Sequence, residues 1–289
     1  MIYQQPAIRP AGDRYLLVEF GNEMNLELNF LAHGLAALIA SEKPKGVIET
    51  APAFASLLVH YDPDEVSYTR VIEEMQELMG SLGSSDQLVL DSRLFYLPTA
   101  YLDPWSREAY ERYIETIARK TPDPQLIVEH NGLADVDQLV RVHSGTEYWV
   151  AAIGWWPGVP FMLALDPRCK LSVPRYNPPR VWTRKGTVGL GGSNTGIYPE
   201  DLPGGIQVFA RIPVPIWDPR QRFEVFRESI CLLKPGDRIK FVPVSLEEFN
   251  AAERKVDDGT YDFNLVEYQK FSVPLYKQWI GGLDPRQRF

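Results

Sequence analysis

Apolar residues in the first hundred positions switch between two periods, and that exchange limits the folds open to the chain. RYLLVEF at 14–20 alternates as a strand does, and Leu26, Phe30, Leu31, Leu35, Leu38 and Ile39 then recur at helical spacing. GVIET at 46–50 and SLLVHY at 56–61 alternate again. A second helix is predicted over 67–82, with Val71, Ile72, Met75, Leu78 and Met79 on one face, before LVLDSRLFYL at 88–97 returns to strand. The order βαββαβ is that of a split βαβ, ferredoxin-like unit, a sheet with both helices on one face. It predicts a first domain over residues 1–98.

Residues 99–146 read as a helical connector: EAYERYIETIARK at 108–120, a proline-broken turn TPDPQ, then VDQLVRVH at 136–143. From Glu147 the punctuation becomes dense in Gly and Pro, with short apolar runs at YWVAAIGW, GTVGLGG, IQVFARIPV and DRIKFVPV. That composition predicts a β-barrel domain over 147–245, and an α+β chain as a whole. SLEE at 245–248 has the capping-box pattern that opens a helix through about Val256, and FNLVEYQKFSV at 263–273 reads as a strand or extended arm in a C-terminal extension, 246–289. DPRQRF occurs at both 218–223 and 284–289, a repeat too short to establish a structural one.

A formal net charge of -8 gives no general attraction to nucleic acid, and no apolar run approaches the ~20 residues that span a bilayer. The two cysteines, Cys169 and Cys231, match no metal spacing, and the N-terminus has no basic segment leading into an apolar one. The expected compartment is the cytoplasm.

Three clusters in the second half carry the unusual residues: GWWPGVPFM (154–162), SVPRYNPPRVW (172–182) and GGSNTGIYPEDLPGG (191–205). Glycine lets backbone approach a ligand and proline fixes the path of the wall. Among them stand Arg175, Asn177, Arg180, Lys185, Ser193, Asn194, Thr195 and Tyr198, a donor-rich set suited to a carboxylate, ureido or amide ligand. The competing structural roles are surface ion pairs for the arginines, a turn for Asn194, core packing for Tyr198, and packing for Trp155 and Trp156. His33, His60, His130 and His143 form no metal-site pair; no Gly-x-Ser-x-Gly elbow occurs, and GGSNTG lacks the Gly-Lys-Ser/Thr ending of a phosphate loop. A polar pocket without a self-sufficient catalytic apparatus is what half of a shared active site would contain.

The same clusters resemble the carboxyltransferase family called allophanate hydrolase subunit 1, which includes the 5-oxoprolinase B subunit and the Kip-type sporulation kinase inhibitor. GWWPGVPFM resembles its Gly-Phe-x-Pro-Gly-Phe-Pro-Tyr-Leu and GGSNTGIYP its Gly-x-Gln-Thr-Gly-Ile-Tyr-Pro. LPGGIQVFARIP and LLKPGDRIKFVPV resemble its Ser-Pro-Gly-Gly and Pro-Gly-Asp segments. EHNGL, LDPRCKL, PRYNPPRVWTRKGTVGLGG and the extension after FVPVSLEEF are closer in pattern to the carboxyltransferase region of urea carboxylase. Asn194 stands where the family has Gln, and Ala210 precedes Arg211 where it has Gly.

The resemblance implies a ferredoxin-like domain followed by a cyclophilin-like β-barrel. It implies a subunit of a biotin-dependent carboxyltransferase, inactive alone, that builds half of a pocket for carboxybiotin and a urea-like or amide acceptor. Asn194, Tyr198 and Arg175 are the expected catalytic residues. Asn177, Arg180, Gly192, Ser193, Thr195, Gly196, Gly204 and Gly205 are the expected substrate-binding ones. A companion carboxyltransferase subunit 2 would complete the hetero-oligomer, biotin would sit on a separate carboxylase/carrier chain, and a partner would use ATP. Two other readings stand beside it: the B subunit of an ATP-dependent 5-oxoprolinase, which keeps the same pocket, and a non-enzymatic Kip-type protein that docks on a sensor kinase.

Overall fold

The computed structural model describes residues 1–267 and 269–289. The chain forms two compact units, one of residues 1–92 with 269–283, the other of residues 93–267 with 284–289.

The first unit opens with β1 (Ile2–Pro10), β2 (Tyr15–Gly21), helix α1 (Leu26–Glu42), β3 (Val47–Pro52), β4 (Ser56–Tyr61), helix α2 (Tyr68–Leu82) and a short β5 (Val89–Asp91). Asn25 caps α1 by accepting from the Glu27 amide at 2.8 Å, and Ser67 caps α2. α2 stops where Gly83 takes φ +67°. Strand alternation puts Leu16, Val18, Phe20, Leu57, Val59 and Tyr61 on one face, where they pack with Leu28, Leu35, Val71 and Met75 of the two helices.

The sheet order is β1-β2-β4-β3, antiparallel throughout. The strand expected at 88–97 is not part of this sheet, and the edge beside β2 is held by β1, from the N-terminal stretch. That expected strand is two strands in different sheets, because Ser92 and Arg93 interrupt it. The Ser92 amide donates to the Gln269 carbonyl, and the Arg93 guanidinium grips Asp237 at 2.6 and 2.9 Å.

The second unit begins with the other half, β6 (Leu94–Tyr101). Helices α3 (Pro104–Thr116), α4 (Asp123–Asn131) and α5 (Val136–Ser144) follow, then β7 (Glu147–Ile153), β8 (Pro160–Ala164), β9 (Arg180–Thr183), β10 (Thr187–Gly191), β11 (Asn194–Ile197), β12 (Leu202–Gly204), β13 (Gln207–Arg211), β14 (Arg238–Pro243), α6 (Leu246–Asp257) and β15 (Leu265–Val266). Seven strands close a barrel in the order β13-β10-β11-β8-β7-β14-β6, with β13 pairing back onto β6. The β14–β6 pair is parallel and its other neighbours are antiparallel. Phe95, Leu97, Tyr148, Val150, Met162, Val188, Phe209, Ile239 and Phe241 build the core with Ile127, Val128, Leu139 and Val142 of α4 and α5. The residues read as a connector therefore pack on the barrel as part of the same unit. Ser245 and Glu248 form the expected capping box on α6.

The chain ends with β16 (Lys270–Ser272), which pairs with β5, and α7 (Val273–Gly281), both in the first unit. The protein is thus α+β with a closed seven-stranded barrel. Among the described residues no helix is long and apolar enough to cross a membrane.

Candidate active site in the barrel unit

Gly192 and Ser193 form the two-residue turn of the β10–β11 hairpin, since Gly191 pairs with Asn194. Gly192 takes φ +64°, the conformation such a turn requires and glycine supplies without strain. The side chain of Asn194 is buried and donates to the Gly191 carbonyl at 2.9 Å, which fastens the turn from inside. Thr195 faces the barrel core, where its Oγ1 lies 3.4 Å from His143 Nε2. Gly196 is strand backbone beside Pro160. Tyr198 stands four residues beyond Asn194, about 13 Å along an extended chain. The two side chains therefore do not converge on one atom.

The structure does bring together Arg180, Tyr198 and Gly204. Arg180 is only 2% exposed: Nε donates to Thr183 Oγ1 at 3.1 Å, one terminal nitrogen to the Ile206 carbonyl at 2.8 Å, and the other reaches the Tyr198 hydroxyl at 3.5 Å. Burial is the main cause that raises the Tyr198 pKa. Gly204 lies against the Tyr198 ring so closely that a Cβ there would stand 2.5 Å from Cζ. Gly205 supplies the carbonyl that accepts from the Tyr176 amide at 2.7 Å. Arg175 and Asn177 are exposed, with Arg175 Nε over Gly191. Trp155 and Trp156, expected as packing residues, are exposed because the Gly154–Gly158 turn carries them outward, Trp155 at φ +66°.

Residues that the sequence pattern did not mark complete this cluster. Asp123, at the start of α4, is buried; its Oδ1 accepts from both Lys120 Nζ and the Tyr176 hydroxyl. Its Oδ2 accepts from the Val208 amide at 2.7 Å and lies 3.8 Å from an Arg180 terminal nitrogen. Lys120 also donates to Gln207 Oε1 at 2.8 Å, and Gln207 donates to the Pro174 carbonyl at 2.7 Å. Both cations stack on Tyr176, Lys120 at 4.1 Å and Arg180 at 4.4 Å from the ring centroid.

Burial is the largest influence on two members of this knot. It lowers the Lys120 pKa against the pull of Asp123, and it raises that of the Tyr176 hydroxyl, with the Asp123 charge adding to the rise. The sequence showed only a proline-flanked aspartate in TPDPQ; its partners lie as far away as Val208, 85 residues on.

Asp123 also lines a cavity of about 400 Å³ between α3, the start of α4 and β13, with Asp103, Ser106, Tyr110, Val136 and Phe209 in its wall. A second cleft, of about 380 Å³ and more polar, runs past Tyr198, Pro199, Arg211, Trp217, Arg222 and Glu253. A desolvated carboxylate tied to two cations, next to a mostly apolar cavity, can orient a small polar ligand and hold a local charge balance as the ligand's charge changes.

The curated urea amidolyase of Lachancea kluyveri is 32% identical over 279 residues, which is 94% of this chain and 15% of that protein. The 5-oxoprolinase B subunit of Bacillus subtilis is 28% identical over 254 residues, 84% of this chain and 95% of that protein. The crystal structure of the K. lactis urea amidolyase superposes with a TM-score of 0.83 at 27% identity, covering 96% of this chain and 17% of that one. The chain thus spans about a sixth of the amidolyases it matches and nearly the whole of the oxoprolinase component. Residues 6–226 match the family described as "Carboxyltransferase domain, subdomain C and D", and the chain belongs to that carboxyltransferase-domain family.

Proposed function

We propose that this chain is one subunit of a heteromeric, biotin-dependent carboxyltransferase of the urea carboxylase type. In this reading it builds half of a pocket where carboxybiotin meets a urea-like or amide acceptor. The observation that carries the reading is the Asp123–Lys120–Arg180–Tyr176 knot beside the 400 Å³ cavity, in a fold shared with a urea amidolyase. The cavity falls within the roughly 300–1,000 Å³ of small-molecule sites, and its apolar walls with a few polar groups fit a compact ureido ring. Carboxybiotin would supply the carboxyl group.

This chain's own residues bind and orient. Arg180 and Lys120 hold the Asp123 side chain fixed, and Tyr176 and Gln207 lock the two cations in place. The exposed Arg175 and Asn177, with the loop of Gly192 and Ser193, would lie on the side offered to a partner. In the proposed complex a companion carboxyltransferase subunit 2 closes the pocket, and a cytoplasmic carboxylase/carrier chain brings biotin and uses ATP. The reading also takes the first unit as a ferredoxin-like variant and the barrel as cyclophilin-like.

A second reading, the B subunit of an ATP-dependent 5-oxoprolinase, is favoured by the 95% coverage of the Bacillus subtilis protein. Carboxylation assayed with the full set of companion chains, ATP and urea, with and without avidin, separates the two. Turnover that avidin abolishes supports the carboxyltransferase; avidin-insensitive opening of 5-oxoproline, or carboxylation by the lone chain, overturns it.

A further inference from the structure

The hexapeptide DPRQRF occurs twice, and its two copies meet different surroundings. Both open with the same turn: Asp218 Oδ1 accepts from the Arg220 amide and Asp284 Oδ1 from the Arg286 amide, each at 3.1 Å. Phe223 of the first copy then enters the barrel core. Phe289 of the second stays 42% exposed, with its ring centroid 4.9 Å from the Arg168 guanidinium and its carbonyl accepting from Gln138 Nε2 at 3.0 Å. Beside it Arg288 spreads its fork: Nη1 donates to the Asn131 carbonyl at 3.1 Å and Nη2 to the Lys170 carbonyl at 3.0 Å. Asn131 ends α4, where carbonyls lack helical partners and the helix dipole favours a cation. The fork thus ties the end of α4 to the chain at Lys170, a bridge that the point charge of a lysine cannot reproduce.

The residues after Lys170 are pinned to both ends of α4. Ser172 holds the last residue of the helix: its amide donates to Asn131 Oδ1 at 2.9 Å, and its carbonyl accepts from Asn131 Nδ2 at 2.8 Å. Tyr176 holds the first, through its hydroxyl on Asp123. An extended chain from Ser172 to Tyr176 spans about 13 Å, and the nine-residue helix is about 13 Å long, so the segment can lie along it from end to end. Between the pins, Val173 and Gly192 exchange both backbone hydrogen bonds at 2.9 Å, and Arg175 stands with Nε over Gly191. The Tyr176 end is buried, whereas Ser172 is half-buried and open to competition from water. Arg288 reinforces that weaker end with two charge-assisted bonds.

We propose that Arg288 is a positioning residue for the face that carries Arg175, Gly192 and Ser193. By locking the Ser172 end of the segment it fixes where Val173 holds the hairpin turn and where Arg175 stands. The second DPRQRF in this way sets the geometry of a site it does not touch. The proposal rests on the carboxyltransferase reading for what Arg175 meets, and the placement itself is measured without it.

Amide hydrogen exchange, followed by NMR on the full 289-residue chain, reads the placement. Arg288→Ala should speed exchange of the Val173 and Gly192 amides about threefold to tenfold, the effect of losing hydrogen bonds from a charged donor at an exposed position. The Val208 amide, held by Asp123, should exchange as in the wild type. Arg288→Lys, able to serve only one of the two carbonyls, should fall between. Arg288 is exposed, so neither substitution disturbs the core. In the complex with the companion chains, ATP and urea, Arg288→Ala should lower turnover about threefold or more, and should have no further effect in a chain that already carries Arg175→Ala. A merely structural loss would add in both backgrounds. Unchanged exchange at Val173 and Gly192, or an equal drop in turnover with and without Arg175, overturns the proposal. Faster exchange at those two amides, in a chain whose wild-type complex does not carboxylate urea, sinks the functional reading and leaves the placement by Arg288 standing.

Discussion

The Tyr176 hydroxyl donates to the Asp123 carboxylate across 53 residues of sequence, and the same carboxylate faces Lys120 and Arg180. Removing its charge strands the buried Arg180 and the half-buried Lys120. Asp123→Asn should destabilise the barrel unit by about 3–5 kcal/mol, the cost of breaking a buried pair by deleting one partner. Urea denaturation of the purified chain measures it; a loss below ~1 kcal/mol would mean that the knot is solvated in solution.

Adjacent glycines should behave differently. A Cβ on Gly204 would overlap the Tyr198 hydroxyl and ring, whereas one on Gly205 meets nothing nearer than 3.5 Å. Gly204→Ala should therefore cost about 1–3 kcal/mol through displacement of Tyr198 from Arg180, and Gly205→Ala less than ~0.5 kcal/mol. Melting curves of the two variants side by side give the comparison, and equal tolerance would contradict the packing described.

His143 projects from α5 into the barrel core, 4.9 Å from the ring centroids of Tyr148, Phe209 and Phe241, with Nδ1 2.8 Å from the Tyr101 hydroxyl. Burial lowers its pKa to about 3. Below the unfolded value of ~6.5 the unfolded chain binds a proton that the native state refuses. Stability contributed by the neutral ring is thus complete above ~6.5 and falls as the pH drops toward about 3, at up to about 1.4 kcal/mol per pH unit. His143→Gln carries no titrating group. The wild-type advantage over it should shrink between pH 7 and pH 5 in urea melts, and a constant gap would show that His143 titrates alike in both states.

Asn194→Ala should lower stability by about 1 kcal/mol, because its amide fastens the Gly191 carbonyl inside the hairpin. The sequence pattern draws Asn194 and Tyr198 into one pocket by their nearness in a glycine-rich loop. Strand geometry sets them too far apart, a distance visible only once Asn194–Ile197 is known to be extended. If turnover in the full complex falls while the melting temperature holds, Asn194 serves a ligand and not the turn.

Local periodicity made much of the fold legible. Helices α1 and α2 and the capping box at Ser245 follow from spacing and end signals. What spacing cannot carry is pairing at a distance. The parallel match of β6 to β14 joins Leu94 to Arg238, and this pairing assigns residues 94–101 to the barrel instead of the first sheet. Strand β1 is not legible because its burial does not alternate cleanly, nor α7 because Val273 and Pro274 follow directly on a strand-like run. Asp123 stayed hidden for the same reason as β6, since each of its partners beyond Lys120 comes from another part of the chain.

Arg175 and Arg180 lie five residues apart and should separate stability from activity. Arg180 is buried and commits its fork to Thr183, Ile206 and Tyr198 beside Asp123, a pattern that a lysine's point charge cannot reproduce. Arg180→Lys should therefore lower the melting temperature strongly, by about 2–4 °C for each kcal/mol lost in a unit of this size. Arg175 is exposed on the face that carries Gly191 and Gly205. Its replacement by Ala should leave the isolated chain within ~0.5 kcal/mol of wild type. In the complex, where the proposed companion chain covers that face, Arg175→Ala should reduce turnover about tenfold or more if its guanidinium meets a carboxylate in the shared pocket. Full activity in that variant, with the companion chain still co-eluting at wild-type stoichiometry, would remove Arg175 from the site and leave the Asp123 cavity as the part of the pocket this chain supplies.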